Sequence, residues 1–205
     1  MSDFDFVREP AQVRAGLVAG RGHYESIISA VRGAQTSVWV ATANLKELMV
    51  EDHRVRPGRR RRHGRPAYRS ILEELEELAH RGVEIRILHA SPPSRPFRRT
   101  FDRLPRLVAG AVELRTCSRV HLKTVIIDGV FMYLGSANWT GAGLGAKGEG
   151  RRNFELGLTT DDEDWLDEVQ ALYVQIWGGA PCAECRFRDD CEMPLSDLEV
   201  QRRVG

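Results

Sequence analysis

Eighteen residues in the second half of the chain, His121 to Asn138 with the sequence HLKTVIIDGVFMYLGSAN, place the tightest constraint on what it can become. Thr124-Val-Ile-Ile-Asp128 and Val130-Phe-Met-Tyr-Leu134 are rich in β-branched, aromatic and long apolar residues, which fit a pleated, half-buried surface. Asp128-Gly129 between them is a tight-turn dipeptide, so the segment reads as a β-hairpin. Side chains alternate along a strand, which puts His121 and Lys123 on one face. The second strand ends at Gly135, where the chain turns and offers the Ser136 hydroxyl and the Asn138 amide. Such an array suits a phosphodiester: a cation and neutral donors meet its oxygens, and an imidazole stands near the phosphorus.

The spacing His121-x-Lys123-x4-Asp128-x6-Gly135-Ser136-x-Asn138 resembles the HKD motif of the phospholipase D superfamily. The resemblance implies an α/β fold: a phospholipase D-like mixed β-sheet flanked by helices, carrying one catalytic half that dimerisation completes. It also implies a covalent route, with His121 as nucleophile and Lys123, Ser136 and Asn138 binding the nonbridging oxygens. Asp128 is expected to support the strand turn and the local charge balance within this catalytic set. Asn153-Phe-Glu155 is similar to the acidic element that follows the motif, so Glu155, with Glu149 as the competing residue, is expected to orient the histidine through a ring nitrogen. No catalytic metal is implied. The superfamily uses two motifs per site, yet only His121 is followed two residues later by lysine. A C2 homodimer would supply the second.

Taken in order, Pro10 to Val18 reads as a short helix, and Tyr24, Ile27, Ile28 and Val31 recur at helical spacing up to Gly33. Ser37 to Thr42 is a strand, after which Asn44 and Lys46 could reach the substrate cleft. Val50 to Pro66 has charge, proline and glycine but no apolar period, and reads as a long loop. Ile71, Leu72, Leu75, Leu78 and Ala79 make a helical stripe, and Val83 to Leu88 returns as a strand, giving a strand-helix-strand unit typical of parallel sheets. A further strand is expected at Val112 to Thr116 and another at Asn153 to Leu158. The acidic residues from Asp161 suit the start of a helix whose apolar face runs from Trp165 to Trp177.

The chain of 205 residues has a net charge of only +1, so nothing global announces a polyanionic partner. The distribution is less even. Arg59, Arg60, Arg61 and Arg62 crowd the long loop, and Arg95, Arg98, Arg99, Arg103 and Arg106 form a second basic region. Either could track phosphates, or be a solvated surface. The resemblance to small single-motif members of the superfamily, which commonly act on DNA or RNA, implies a nucleic-acid substrate that these arginines fit; a phospholipid, or service as a nucleic-acid-binding subunit of a defence complex, are the alternatives. With no secretory leader and no run of about 18 apolar residues, the chain is expected in the cytoplasm. Residues 1–180 are expected to form the phospholipase D-like domain and 181–205 a cysteine-containing tail. There Cys182-x2-Cys185-x5-Cys191 could hold a structural zinc, with Cys117 or His89 as fourth ligand; free thiols or a disulfide are the other readings.

Overall fold

The computed structural model describes residues 4–54 and 67–198. Arg59 to Arg62, and with them most of the expected long loop, lie outside the described residues. The architecture is three layers around a seven-stranded mixed sheet of order β1-β9-β8-β7-β2-β5-β6. The strands are β1 (Ala15–Ala19), β2 (Ser37–Thr42), β5 (Glu84–His89), β6 (Glu113–Thr116), β7 (Thr124–Ile127), β8 (Phe131–Gly135) and β9 (Leu156–Thr160). β2, β5 and β6 run parallel, as the strand-helix-strand pattern requires, and the other neighbours pair antiparallel. A separate two-stranded ribbon joins β3 (Met49–Glu51) to β4 (Tyr68–Ser70).

Both faces of the central strands are covered, and the alternation of their side chains says with what. Val38, Val40, Ile85, Ile87, Val125 and Ile127 belong to the larger core. They share it with Ile27, Ile28 and Val31 from the helical run Arg21–His23, Tyr24–Ile28 and Ser29–Gly33, and with Ile71, Leu72, Leu75 and Leu78 from Ile71–His80. The intervening residues Trp39, Ala41, Leu88 and Ile126 face the helix Glu163–Trp177. There Trp39 stacks on Tyr173 at 5.3 Å and Tyr173 on Trp177 at 5.8 Å, each pair adding about 0.5–1.5 kcal/mol beyond the area it buries. Leu195, from the cysteine-containing tail, inserts into the same cluster. No described helix is long and apolar enough to cross a membrane.

Two sequence expectations change. Ala15–Ala19, which overlaps the helix expected over Pro10 to Val18, is the edge strand β1, registered against β9 from Ala15–Thr160 to Ala19–Leu156. Val18 is buried by that pairing while Leu17 points outward; cross-strand hydrogen bonding has overridden a weak local preference. The expected loop also begins too early, because Val50 is fully buried in β3.

The motif hairpin forms as expected. Asp128 and Gly129 both take positive φ, at 54° and 67°, and the Val130 N–H donates to the Ile127 carbonyl at 3.0 Å. The Asp128 carboxylate also grips the segment entering β2: it accepts from the backbone N–H groups of Gln35 (2.9 Å), Thr36 (2.7 Å) and Ser37 (2.8 Å), and from the Thr36 hydroxyl (3.0 Å). Burial raises its pKa, but the bonds from Ser37, Thr36 and Gln35 prevail and hold it below the ordinary 3.8. Asp128→Ala should therefore destabilise the fold by about 2 kcal/mol, measured by urea unfolding. Because the folded pKa is depressed, this contribution is complete above the unfolded value and disappears as pH falls through the folded one. The gap between wild type and variant should narrow as pH falls below about 4, leaving the cost of alanine at this positive φ.

Candidate active site

β7 runs antiparallel to β2 with Thr124 opposite Ala41, so the residues just before β7 emerge beside the carboxyl end of β2. His121 and Lys123 stand there. The Lys123 ammonium donates to the His121 carbonyl at 2.7 Å and lies 3.1 Å from His121 Nδ1 and 3.3 Å from Nε2. Burial lowers the Lys123 pKa, and the charge of Glu155 opposes that shift.

β8 delivers the neutral donors to the same edge. The Ser136 hydroxyl donates to Glu155 Oε2 at 2.5 Å and accepts from the Leu156 N–H at 3.1 Å. Glu155 Oε1 accepts from Asn153 Nδ2 at 3.0 Å. Within a single chain Glu155 thus holds Ser136 and Asn153, rather than the His121 ring that it was expected to orient. Asn138 Oδ1 accepts from the Asn44 N–H at 3.0 Å and lies 3.2 Å from the Thr42 hydroxyl. The Asn44 N–H can only donate, which fixes the amide oxygen on that side and turns the Asn138 NH2 group away as a donor.

Close approach of backbones lets β8 and β9 carry these groups. The Tyr133 ring lies across Gly135 and Gly157, where a Cβ on Gly157 would meet the ring and stand 2.9 Å from the Leu134 carbonyl. The Tyr133 hydroxyl accepts from the Ala137 N–H at 3.2 Å, bracing the turn into Asn138. Burial chiefly pushes its pKa up to about 12, so it serves as a neutral phenol.

The structure thus brings His121, Lys123, Ser136, Asn138 and Glu155 to one sheet edge. Asp128 stands at the other end of β7, gripping Gln35 to Ser37; it is a turn residue, separated from the cluster by the length of the strand. Asn44 contributes through its backbone. Thr42, Tyr133 and Asn153 were not singled out as site residues from sequence, although Asn153 sits in the quoted Asn-x-Glu pair and Tyr133 in the motif strand.

An apolar cavity of about 440 Å³ adjoins His121, lined among others by Val120, Leu122, Leu172 and Leu195. Cys117, Cys182 and Cys185 share its wall, whereas Cys191 is exposed, and all four are free thiols. Among the described residues no group of three or more histidine, cysteine or acidic side chains is placed to hold a metal ion. The fold therefore draws three expected zinc ligands to one cavity without assembling a ligand set. His89 is occupied elsewhere, its ring facing the Ser91 carbonyl and the Thr116 hydroxyl.

A mixed sheet with an imidazole, an ammonium and neutral donors on one edge defines a phospholipase D-like domain. The family described as cardiolipin synthase, PLD-like domain, matches residues 27–177, and the chain belongs to it. Solved structures agree on the fold. NucT from Helicobacter pylori is 18% identical with a TM-score of 0.55, covering 80% of this chain and 95% of that one. Nuc from Salmonella typhimurium, a phospholipase D family member, is 17% identical with a TM-score of 0.56 and the same coverage. TrmBL2, an archaeal chromatin protein with a novel mode of DNA binding, is 14% identical with a TM-score of 0.52, covering 80% of this chain and 52% of that one. No curated protein matches in sequence.

Glu155→Gln removes the charge that sustains the Lys123 ammonium against burial. The Lys123 titration should consequently move to lower pH, read from its side-chain NMR shifts, and any alkaline limb of activity that depends on this ammonium should move with it.

Proposed function

We propose that this chain is a nuclease: a phosphodiesterase that cleaves DNA or RNA through a phosphohistidine, without a catalytic metal, in a site completed by a second copy of itself. The observation that carries the reading is the convergence of His121, Lys123, Ser136 and Asn138 on one edge of a phospholipase D-like sheet. A lone-pair nitrogen of His121 attacks phosphorus and forms the P–N bond as the bond to the leaving oxygen breaks. The second copy's histidine gives that oxygen its proton. Water then attacks phosphorus, passing a proton to the second histidine, and the P–N bond breaks to release the phosphomonoester. Lys123, the Ser136 hydroxyl and the Asn138 NH2 group take the nonbridging oxygens as negative charge builds.

Two features favour a second copy at this edge. One chain has a single His-x-Lys pair, while the route needs a nucleophile and an acid. Next to Glu155, the Phe154 side chain is fully exposed, and Leu156 is more than half exposed, an apolar surface suited to burial by an identical partner. The arginine-rich stretch containing Arg59 to Arg62 supports a polyanionic substrate, as does the fold's likeness to TrmBL2, a DNA-binding chromatin protein. Phospholipid hydrolysis is the second reading, favoured by the apolar cavity with His121 on its wall.

Purified protein in EDTA should cleave labelled DNA or RNA at its full initial rate, and His121→Ala and Lys123→Ala should each lower the rate by at least a hundredfold, on the order expected for lost acid-base catalysis. Loss on chelation with recovery in magnesium would reject the mechanism, and cleavage of phosphatidyl vesicles alone would select the lipid reading. Oligonucleotide binding without any cleavage would leave a binding subunit, as in a defence complex.

The shared site has its own test. Co-folding equal amounts of wild type and His121→Ala should leave about a quarter of the activity if both histidines serve one site, against about a half for independent sites. Phe154→Asp should shift sedimentation towards monomer and lower activity in parallel.

A further inference from the structure

A second pocket, of about 500 Å³, opens on the same sheet edge, away from the catalytic cluster. Its lining includes Arg95, Arg98 and Arg99 from the helix Arg95–Phe101, with His89 and Thr116 from the ends of β5 and β6 and one acid, Asp102. Strand register ties it to the active site, since Thr42 lies opposite His89 and His89 opposite Thr116. Thr42 is the residue beside Asn138. Thr42 is therefore one strand spacing from His89 and two, about 10 Å, from Thr116.

The helix that carries the arginines is pinned to the active-site rim. The N–H groups of Ala90, Ser91 and Ser94 donate to the carbonyls of Thr42, Ala43 and Leu45 at 3.3, 3.0 and 3.0 Å. Phe97, almost wholly buried, stacks on Phe101 at 6.1 Å and anchors the helix from below. Above this support the guanidinium groups are unspent. Arg8, Arg14, Arg21, Arg32, Arg54 and Arg69 each pair with a carboxylate. Arg95, Arg98 and Arg99 pair with none among the described residues, although Asp102 lies in the same pocket. His89 adds no charge: its Nδ1–H donates to the Ser91 carbonyl at 3.0 Å, leaving Nε2 to accept from Thr116 at 3.3 Å, and burial lowers its pKa.

We propose that this pocket is a phosphate subsite, in which Arg95, Arg98 and Arg99 bind a backbone phosphate of the polynucleotide whose scissile phosphate lies at His121. The inference rests on the nuclease reading and adds a path: the strand runs along the carboxyl ends of β2, β5 and β6, passing over Asn44. Guanidinium forks suit that role, binding phosphate oxygens in pairs without reading bases.

The test measures binding separately from cleavage, using full-length protein, a fluorescent oligonucleotide of about ten nucleotides, a dinucleotide, and bis(p-nitrophenyl) phosphate. The Arg95→Ala/Arg98→Ala/Arg99→Ala variant should bind the ten-mer at least tenfold more weakly, with a salt slope smaller by about 0.7 for each lost phosphate contact. Its kcat/KM on the dinucleotide and on bis(p-nitrophenyl) phosphate should be unchanged. The corresponding triple lysine variant should restore most of the affinity and salt slope, which a purely structural role of the arginines would not predict. Unchanged ten-mer affinity and salt slope would overturn the subsite while leaving the nuclease reading intact. Equal losses on all three substrates would also overturn it. A wild type that binds the ten-mer through these arginines but cleaves nothing would keep the subsite and remove the nuclease reading, and a wild type that binds no ten-mer would remove both.

Discussion

The antiparallel docking of β7 against β2 is the constraint on which the rest of the molecule depends. Its register sets Thr124 against Ala41, and this one alignment brings His121 and Lys123 beside Thr42 and Asn44. The other end of the same strand pair is locked by Asp128, whose carboxylate satisfies three consecutive backbone N–H groups at the entrance to β2. A one-residue slip would turn every side chain of β7 to the opposite face. It would exchange Val125 and Ile127, in one core, for Ile126, in the other. Catalytic placement and core packing are thus secured by a single register.

The donors from β8 depend on a second, smaller constraint. Two glycines on neighbouring strands leave room for the Tyr133 ring, and the phenol braces the turn into Asn138. The motif's neutral groups are consequently held by backbone contacts: Ser136 by the Leu156 N–H and Asn138 by the Asn44 N–H. Backbone donors do not change rotamer, so the array is organised before a substrate arrives, the condition under which fixed dipoles best stabilise developing charge.

Charge is distributed with the same economy. Glu74 and Glu77 engage Arg69, and Asp161 and Glu168 engage Arg14 and Arg8. None of these arginines lines the second pocket. Lys123 and the arginines of the second pocket concentrate positive charge locally in a chain whose net charge is only +1.

Much of this was legible in the chain itself. The His121-x-Lys123 spacing, the Asp128-Gly129 turn and the apolar runs beside them specify a hairpin locally, because turn chemistry and strand alternation act within a few residues. The stripes of Ile71 to Leu78 and Trp165 to Trp177 likewise declare their helices. What only the tertiary structure decided were relations between distant segments. Ala15–Ala19 became a strand because β9 offered an edge, Glu155 met Ser136 rather than His121, and Cys117 joined Cys182 and Cys185 on one cavity wall. Asp128 belongs to the motif in sequence, but strand length removes it from the site. Hydrogen-bond pairing across a sheet has no local signature, and neither does the choice of which arginines find a carboxylate. Both emerge only when residues remote along the chain are brought within a few ångströms.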